Sequence, residues 1–353
     1  MKDRSTRIVD VKVLRDLMER LLAAAGCGSE VAAVAADAFL EADLRGIGLQ
    51  GLDHMPTMIR GLRNGRIKPD GKPQIVKEGP AFALVDGNYG AGQVAAIFAG
   101  DLAVRKAGKA GCSAVGVVNS SDIFMLGFYV ERIARAGLIG FAFSDAPPLV
   151  HPFGGIERVL GTNPLAIAIP TAEAHPIVLD MATSALSASR IRQAAYHGED
   201  VPEGIGLGPD GRETQDAAEI RQGTIGPLAG HKGFGLGLCV GILSGPLVGA
   251  AVGAALAQWL EDAPGTAGAK GHFFMAVDPA AFGDAAAFRN AVSAYVSEIK
   301  TSRKAPGVTE IRVPGERAFA ERERSLRNGV SIYEAVWERT AELAKDLGVQ
   351  MPD

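Results

Sequence analysis

Apolar residues recur at helical spacing near the start of the chain. Leu14, Leu17, Met18, Leu21 and Leu22 fall on one face. After a break at Gly26-Cys27-Gly28-Ser29, Val31, Val34, Ala35, Ala38 and Phe39 form another. This predicts two packed helices across 11–44, with Ser29 as the N-cap of the second. A third helix is predicted over 56–64, stopped by Gly65. From Gln74 the runs become short and extended, and PQIVKEG and AFALVDG read as two strands joined by a turn. Further on, 92–109 and 128–136 read as helices, and 114–119, 139–143 and 165–169 as strands. The polar, Gly-rich stretch 202–229 reads as a loop. Residues 236–260, rich in Gly and Ala, read as closely packed buried helices. A strand at 273–277 precedes helices over 285–300, 316–327 and 332–347. Helices and strands mix without the regular βαβ beat of a doubly wound sheet.

Composition narrows the class. With 47% apolar and 22% charged residues, the 353-residue chain is an ordinary globular mixture, long enough for a sizeable core. A net charge of −4 points away from nucleic acid and anionic membranes as partners. MKDRSTRIVD has no apolar segment of the signal-peptide kind, and no uninterrupted apolar run reaches the roughly 20 residues of a membrane helix. Cys27, Cys112 and Cys239 are scattered, so neither a metal site nor a disulfide framework is expected, and a reducing cytoplasm fits.

Two glycine patterns mislead. Residues 206–211 match G-x-G-x-x-G by letter, but Pro209 and the polar surroundings do not give the strand and helix that a dinucleotide fingerprint needs. Gly87-Asn-Tyr-Gly90-Ala-Gly92 follows a strand with the wrong spacing and reads as a turn and helix cap. Gly230-His-Lys232-Gly233 lacks the Walker spacing, yet Lys232 could still reach a phosphate.

Six segments carry a resemblance: LVDGNYGAGQ (84–93), VVNSSDIFMLG (117–127), HPFGGIERVLGTNPLAIAIP (151–170), VLDMATSA (178–185), PLAGHKGFGLGL (227–238) and VPGER (313–317). In this order the chain resembles the malate/L-lactate dehydrogenase family over roughly residues 10–345. That family includes ureidoglycolate and sulfolactate dehydrogenases, 2,3-diketogulonate reductase and Δ1-piperideine-2-carboxylate reductase. The resemblance implies a mixed α/β, non-Rossmann fold with a mostly antiparallel sheet core flanked by helices. It implies a helical substrate-side domain from residues 1–75 and 288–353, an NAD(P)-binding domain from 76–287, a homodimer, and hydride transfer between a nicotinamide and a small keto, hydroxy or cyclic imino acid. NAD and NADP stay open. Matched residue by residue, Asp122, Ile123, Phe124, Met125 and Leu126 fall on the nicotinamide side. Asp180, Met181 and Ala182 line the cofactor, Lys232 contacts it, and Pro314, Gly315 and Glu316 form a C-terminal cofactor loop. Thr162 matches a substrate-contacting threonine.

The chain departs from the family's pattern where the chemistry lies. The usual S-H-G-x-x-R-x-P is here Leu49-Gln50-Gly51-Leu52-Asp53-His54-Met55-Pro56, so serine, acid/base histidine and carboxylate-holding arginine are all replaced. In N-S-x-H-F-G, histidine has become Asp122 and glycine Phe124. The usual Lys or Asp of a later helix is Arg190. Leu49 cannot hydrogen-bond, and Gln50 cannot shuttle a proton near neutral pH. His54 and Asp122 are the candidate proton-transfer groups, with His54 one helical turn from Gln50 if the segment is helical, and His151 next. His54 and Arg190 are the candidate substrate-binding groups. His231 reads as structural, and His175, His197 and His272 as surface residues in loops. Asp122 beside a nicotinamide would favour the oxidised ring by charge attraction. Three readings result: an NAD(P)-dependent oxidoreductase with altered specificity, supported by the intact cofactor segments; a non-catalytic nucleotide- or metabolite-binding homologue or dimeric scaffold, supported by the missing Ser-His pair; and a lyase- or isomerase-like repurposing.

Overall fold

The computed structural model describes residues 5–259 and 270–352. The chain starts with β1 (Thr6–Val9), α1 (Val11–Ala24), α2 (Ser29–Leu44) and α3 (Met55–Arg63). The Asp10 carboxylate caps α1, accepting from the Lys12 and Val13 amides at 2.8 and 3.2 Å. Ser29 is the first residue of α2 and not its cap, a position taken by Gly28 without a side-chain bond. Leu14, Leu17, Met18, Leu21 and Leu22 are all buried, as the spacing predicts. Each such side chain contributes roughly 1.5–3 kcal/mol. They pack with Phe39, Met55, Met58 and Ile59, and with Val330, Ile332 and Trp337 from the C-terminal end.

The main sheet follows: β2 (Gln74–Glu78), β3 (Phe82–Asp86), α4 (Gly92–Ala110), β4 (Cys112–Ser120), α5 (Gly127–Arg135), β5 (Ile139–Ser144), β6 (Leu165–Ile169) and β7 (Ile177–Met181). Next come α6 (Ala188–His197), β8 (Gly206–Leu207), β9 (Glu213–Thr214), α7 (Ala217–Gln222), β10 (Thr224–Ile225) and α8 (His231–Ser244). The chain closes with β11 (Lys270–Val277), α9 (Ala285–Thr301), α10 (Glu316–Asn328), β12 (Val330–Tyr333) and α11 (Glu334–Asp346).

Seven strands pair in the order β2-β3-β4-β11-β5-β6-β7. Only β3–β4 is parallel, joined across α4; the other pairings are antiparallel. α4 and α5 cover the sheet with small side chains such as Ala95, Ala96, Ala99 and Ala103, against Val115, Val117 and Phe274. The stretch 202–229 is not a loop. It folds into a three-stranded sheet, β10-β8-β9, with α7 over a small core of Ile191, Val201, Ile220 and Ile225. Two-residue strands leave no alternation to read.

The apolar stretch from Leu236 is also narrower than the sequence implies. α8 ends at Ser244, short 3-10 turns follow at 246–248 and 253–259, and Leu260 lies outside the described residues. Gly233, Gly237 and Gly241 line the inner face of α8. An added Cβ would strike Leu228, the Thr183 hydroxyl and the Asn163 amide respectively. The outer face exposes Leu236, Leu238 and Ile242. Among the described residues the stretch His231–Val248 is long and apolar enough to cross a membrane, but its glycine face is packed on the protein.

A buried ion network ties the helical layer to the sheet layer. Arg45 at the end of α2 bonds Glu41 at 2.9 Å and Glu131 of α5 at 2.6 Å, and Arg322 of α10 reaches Glu41 at 2.7 Å. Removing one partner from a buried set of this kind typically costs about 3–5 kcal/mol.

Candidate active site

Leu49 and Gln50 sit on one 3-10 turn, Gly48–Gln50, and both are half-buried. The turn is folded around the buried Asp43 carboxylate, which accepts from the Leu52 amide at 2.8 Å. A Cβ on Gly51 would overlap that carboxylate, so the glycine is required by close approach. Burial pushes the Asp43 carboxyl up to about 8.

His54 is not on a helix shared with Gln50. It is the N-cap of α3 and turns its ring back, with Nδ1 3.1 Å from the Leu49 carbonyl. A carbonyl only accepts, so Nδ1 carries the proton and Nε2 presents a lone pair. Burial and the nearby Arg192 charge lower its pKa, so the ring is neutral at pH 7. Its edge meets Phe124, with centroids 5.1 Å apart, and Phe124 in turn packs on Phe39 at 4.7 Å. Phe124 has φ 57°, the left-handed region that glycine prefers. The space left between α3 and the loop 121–124 is about 10 Å³, lined by Thr57, Met58, Arg66, Ser121, Asp122 and Phe124. That is room for about one water.

Asp122 does not stand as a lone anion. Its carboxylate is paired with the Lys270 ammonium, and Lys270, the first residue of β11, is buried. A nicotinamide beside Asp122 would therefore meet an ion pair, which removes the simple charge argument for the oxidised ring. His272, two residues on, is fully buried and not a surface residue. Its Nδ1 lies 2.9 Å from the Ser144 hydroxyl and its Nε2 3.0 Å from the Ser121 carbonyl. Burial and the Lys270 charge push its pKa down to about 4. Asp145, beyond the end of β5, is buried as well. Its Oδ1 accepts from the Ala146 amide at 2.8 Å, while Oδ2 is buried without a hydrogen-bond partner. Burial pushes this carboxyl up to about 6, against the opposing pull of Lys270.

Arg190 is exposed and bonds Gln193 on its own helix at 2.7 Å. The cation of α6 that faces the His54 segment is Arg192, 3.0 Å from Asp53, whose other oxygen takes Arg339 at 2.5 Å. His151 places Nδ1 2.8 Å from the Thr224 hydroxyl, beside the small sheet. His175 stacks on Phe319 at 4.3 Å.

The segments matched to the cofactor converge along β7 and its continuation. The Val178 amide donates to the Pro314 carbonyl at 3.1 Å, and Gly315, at φ 97°, lies against the Val178 backbone. Asp180 Oδ2 accepts from the Gly127 amide at 2.7 Å, directly after the 122–126 loop. The Thr183 amide donates to the Thr162 carbonyl at 2.9 Å, and the Leu228 amide, just before α8, donates to the Thr183 carbonyl at 2.9 Å. Asn163 adds a bond from Nδ2 to the Gly237 carbonyl at 2.9 Å. Lys232 stands exposed on the first turn of α8. Ile123, Met125 and Leu126 are buried, which leaves the backbone of that loop for any ligand. Met181 and Ala182 are half-buried. Pro314 and Glu316 line a cleft of about 660 Å³ with the 171–177 turn, α9 and α10. Glu316 itself pairs with Lys300 at 2.5 Å. A cleft of this size suits part of a dinucleotide.

Sequence reasoning missed Lys270, Asp145 and Arg192. A charge placed at a position that usually holds histidine calls for a counter-ion, and that is the signal that pointed to Lys270 in principle. No periodicity could say which lysine.

A mostly antiparallel seven-stranded sheet of this order, flanked by helices, is shared with known dehydrogenases and a reductase. The family described as malate/L-lactate dehydrogenase matches residues 9–340, and the chain belongs to that family; it is an NAD(P)-dependent oxidoreductase. It is 37% identical over 339 residues to a malate dehydrogenase of Pyrococcus abyssi, covering 94% of this chain and 92% of that one. It is 33% identical over 336 residues to a Δ1-pyrroline-2-carboxylate/Δ1-piperideine-2-carboxylate reductase of Pseudomonas putida, covering 94% and 95%. The fold superposes on the crystal structure of malate dehydrogenase from Entamoeba histolytica with a TM-score of 0.93 at 28% identity, covering 99% of this chain and 100% of that one.

Proposed function

We propose that the protein transfers a hydride between NAD or NADP and a small hydroxy, keto or cyclic imino acid, with a specificity altered from that of its relatives. The observation that carries this is the convergence of Pro314, Gly127, Thr162 and Leu228 on one edge strand, β7, and its continuation. The segments that match the family's cofactor positions meet along one seam, which supports this reading. Beside it the usual polar groups are replaced: Gln50, a neutral His54 and the Asp122–Lys270 pair stand where a Ser-His-Arg set and a second histidine are usual.

When bound, the nicotinamide supplies or accepts the hydride. The chain's own residues hold the substrate and manage one proton. Arg192, rather than Arg190, is the cation placed to take a substrate carboxylate, because it faces the His54 segment. His54 Nε2 accepts a hydrogen bond from a hydroxyl or an iminium N–H. Thr162, half-buried at the start of the seam, offers its hydroxyl. Phe124 restricts the site to small substrates by filling the space beside His54.

The proposal includes a homodimer. Leu238 and Ile242 form an exposed apolar ridge on α8, and Phe153, exposed as well, packs its ring against His231 at 5.8 Å at the start of the same helix. A ridge of this kind is suited to a second copy of the chain.

The test is titration of the protein with NADH and NADPH, followed by nicotinamide fluorescence, then turnover with a panel of keto acids, hydroxy acids and cyclic imino acids. Saturable binding of one reduced nucleotide and turnover of at least one acid are expected. Absence of binding to both nucleotides would sink the reading. The nearly closed space beside Phe124 favours a second reading, binding without chemistry. Tight nucleotide binding with no turnover across the panel would select it.

A further inference from the structure

The seam along β7 ends beside a flat, half-open ring. Asp180 bonds the Gly127 amide just after the 122–126 loop, and three residues earlier Ile177 lines the cleft of about 660 Å³ that Pro314 also lines. At 3.2–3.4 Å per strand residue these two places lie about 10 Å apart. Phe319 of α10 lines the same cleft. A Cβ on Gly315 would come within 3.1 Å of the Phe319 ring and of the Val178 amide nitrogen, so the loop matched to the cofactor lies directly against Phe319.

His175, in the turn between β6 and β7, lies flat on that ring, with centroids 4.3 Å apart and planes 10° from parallel. The turn is held in place. The Thr171 hydroxyl donates to the His175 carbonyl at 2.8 Å, and the Ala172 amide donates to the Ser293 hydroxyl of α9 at 3.0 Å. The ring is held too. Nε2 lies 3.2 Å from the Glu323 carboxylate, which only accepts, so Nε2 carries the proton. Nδ1 is buried, and Phe319 covers one face. Yet the side chain keeps 37% of its surface exposed. What is left to line the cleft is the other face of the ring. Beneath Phe319 the order continues, with the Arg45 guanidinium over the ring at 5.3 Å from its centre. Arg45, Phe319 and His175 thus form a stack that runs from the buried ion network out to the cleft. Two charged pairs at the cleft, Arg312 with Glu310 at 2.7 Å and Glu316 with Lys300 at 2.5 Å, are closed on each other before any ligand arrives.

We propose that His175 is the stacking platform for the adenine base of the nicotinamide dinucleotide. This rests on the oxidoreductase reading above. A dinucleotide carries two flat rings. With the nicotinamide beside the 122–126 loop, the adenine comes to the other end of the seam, where His175 offers an open aromatic face. Adenine becomes the next layer of the stack. Stacking asks only for a π face, so the platform serves NAD and NADP alike, which share this base. A ring already fixed by Phe319 and Glu323 loses little freedom when the base settles on it.

Calorimetric titration with NADH, NADPH and ADP-ribose tests the platform, since ADP-ribose carries the adenine without the nicotinamide. H175A should weaken ADP-ribose, and whichever reduced nucleotide the wild type binds, by about tenfold or more. H175F keeps a flat ring and should stay within about threefold of wild type. H175L covers Phe319 with an apolar side chain but has no aromatic face, and should behave as H175A does. The split between H175F and H175L separates stacking from a merely structural part in the turn. In turnover, H175A should raise KM for the nucleotide and leave kcat at saturation unchanged, because the base takes no part in the chemistry. An H175A protein with wild-type affinity for these ligands, or an H175L protein that binds as tightly as H175F, overturns the platform and leaves the oxidoreductase reading standing. A wild-type protein that binds neither NADH nor NADPH overturns that reading and the platform with it.

Discussion

Phe124 presents its ring to the edge of His54 across 5.1 Å at an interplanar angle of 67°, from a backbone held at φ 57°. A bulky residue in the left-handed region is held there only by its surroundings, at a cost of about 1–2 kcal/mol. Here the surroundings are Phe39 and His54. F124G releases the backbone strain but loses the ring's packing; F124A loses the packing and keeps the strain. F124A is therefore expected to be less stable than F124G by about 1 kcal/mol. Both should widen the site and admit bulkier acids. Urea unfolding of the two variants checks the first point, and a tie would show that φ 57° carries no strain.

Arg192 and Arg190 sit on the same helix but only Arg192 faces the His54 segment. R192M should raise KM for a carboxylate substrate by about tenfold or more, in line with loss of a charge-assisted bond worth roughly 1.5–3 kcal/mol. R190M should change KM by less than about twofold. Steady-state kinetics on the two variants decides this, and equal effects would return Arg190 to the site. R192M also frees Asp53, although Arg339 still holds its other oxygen.

Asp43 gives a stability signature with a definite sign. Its folded pKa is about 8, above the unfolded value of about 3.9. Between those values the native chain binds one more proton than the unfolded chain, so this group makes stability fall as pH rises, by about 1.4 kcal/mol per pH unit. Its effect is largest below the unfolded pKa and levels off above about 8. D43N has no such proton to hold. The unfolding free energy of D43N relative to wild type should rise steadily from pH 4 to pH 8, measured by urea titration at several pH values. Parallel curves would contradict the burial of an uncharged carboxyl at this turn.

Leu238 and Ile242 are one helical turn apart on the exposed ridge of α8. The double variant L238E/I242E should leave the fold intact, because the glycine face does the packing, and should shift a dimer to monomer at micromolar concentration. Sedimentation velocity with circular dichroism reads both. A wild-type monomer would remove the ridge from consideration as an interface.

Much of the site was legible in order but not in arrangement. The segments at 117–127, 178–185, 227–238 and 313–317 are contiguous letters, and each does meet the seam at β7. The replacements at Leu49, Gln50 and Asp122 were also visible, because flanking residues fix their register. What those replacements do was not visible. His54 looked like a neighbour of Gln50 on a helix, yet a 3-10 turn wound on Asp43 sends its ring to Leu49. His272 looked like a loop residue, because the strand signal in Phe273–Val277 starts after it, and its two bonds come from β5 and from the loop after β4.

The chain's own pattern settled most of the helices, α6 and α7 aside, and half of the strands, because each is written in spacing over a few turns. Tertiary structure alone decided that Asp122 has a buried partner 148 residues away, that Asp145 is left with an empty oxygen, and that Arg192 rather than Arg190 pairs with Asp53 beside His54. Charges find their counter-ions through space, and the distance between them is set by strand pairing that no local sequence window contains.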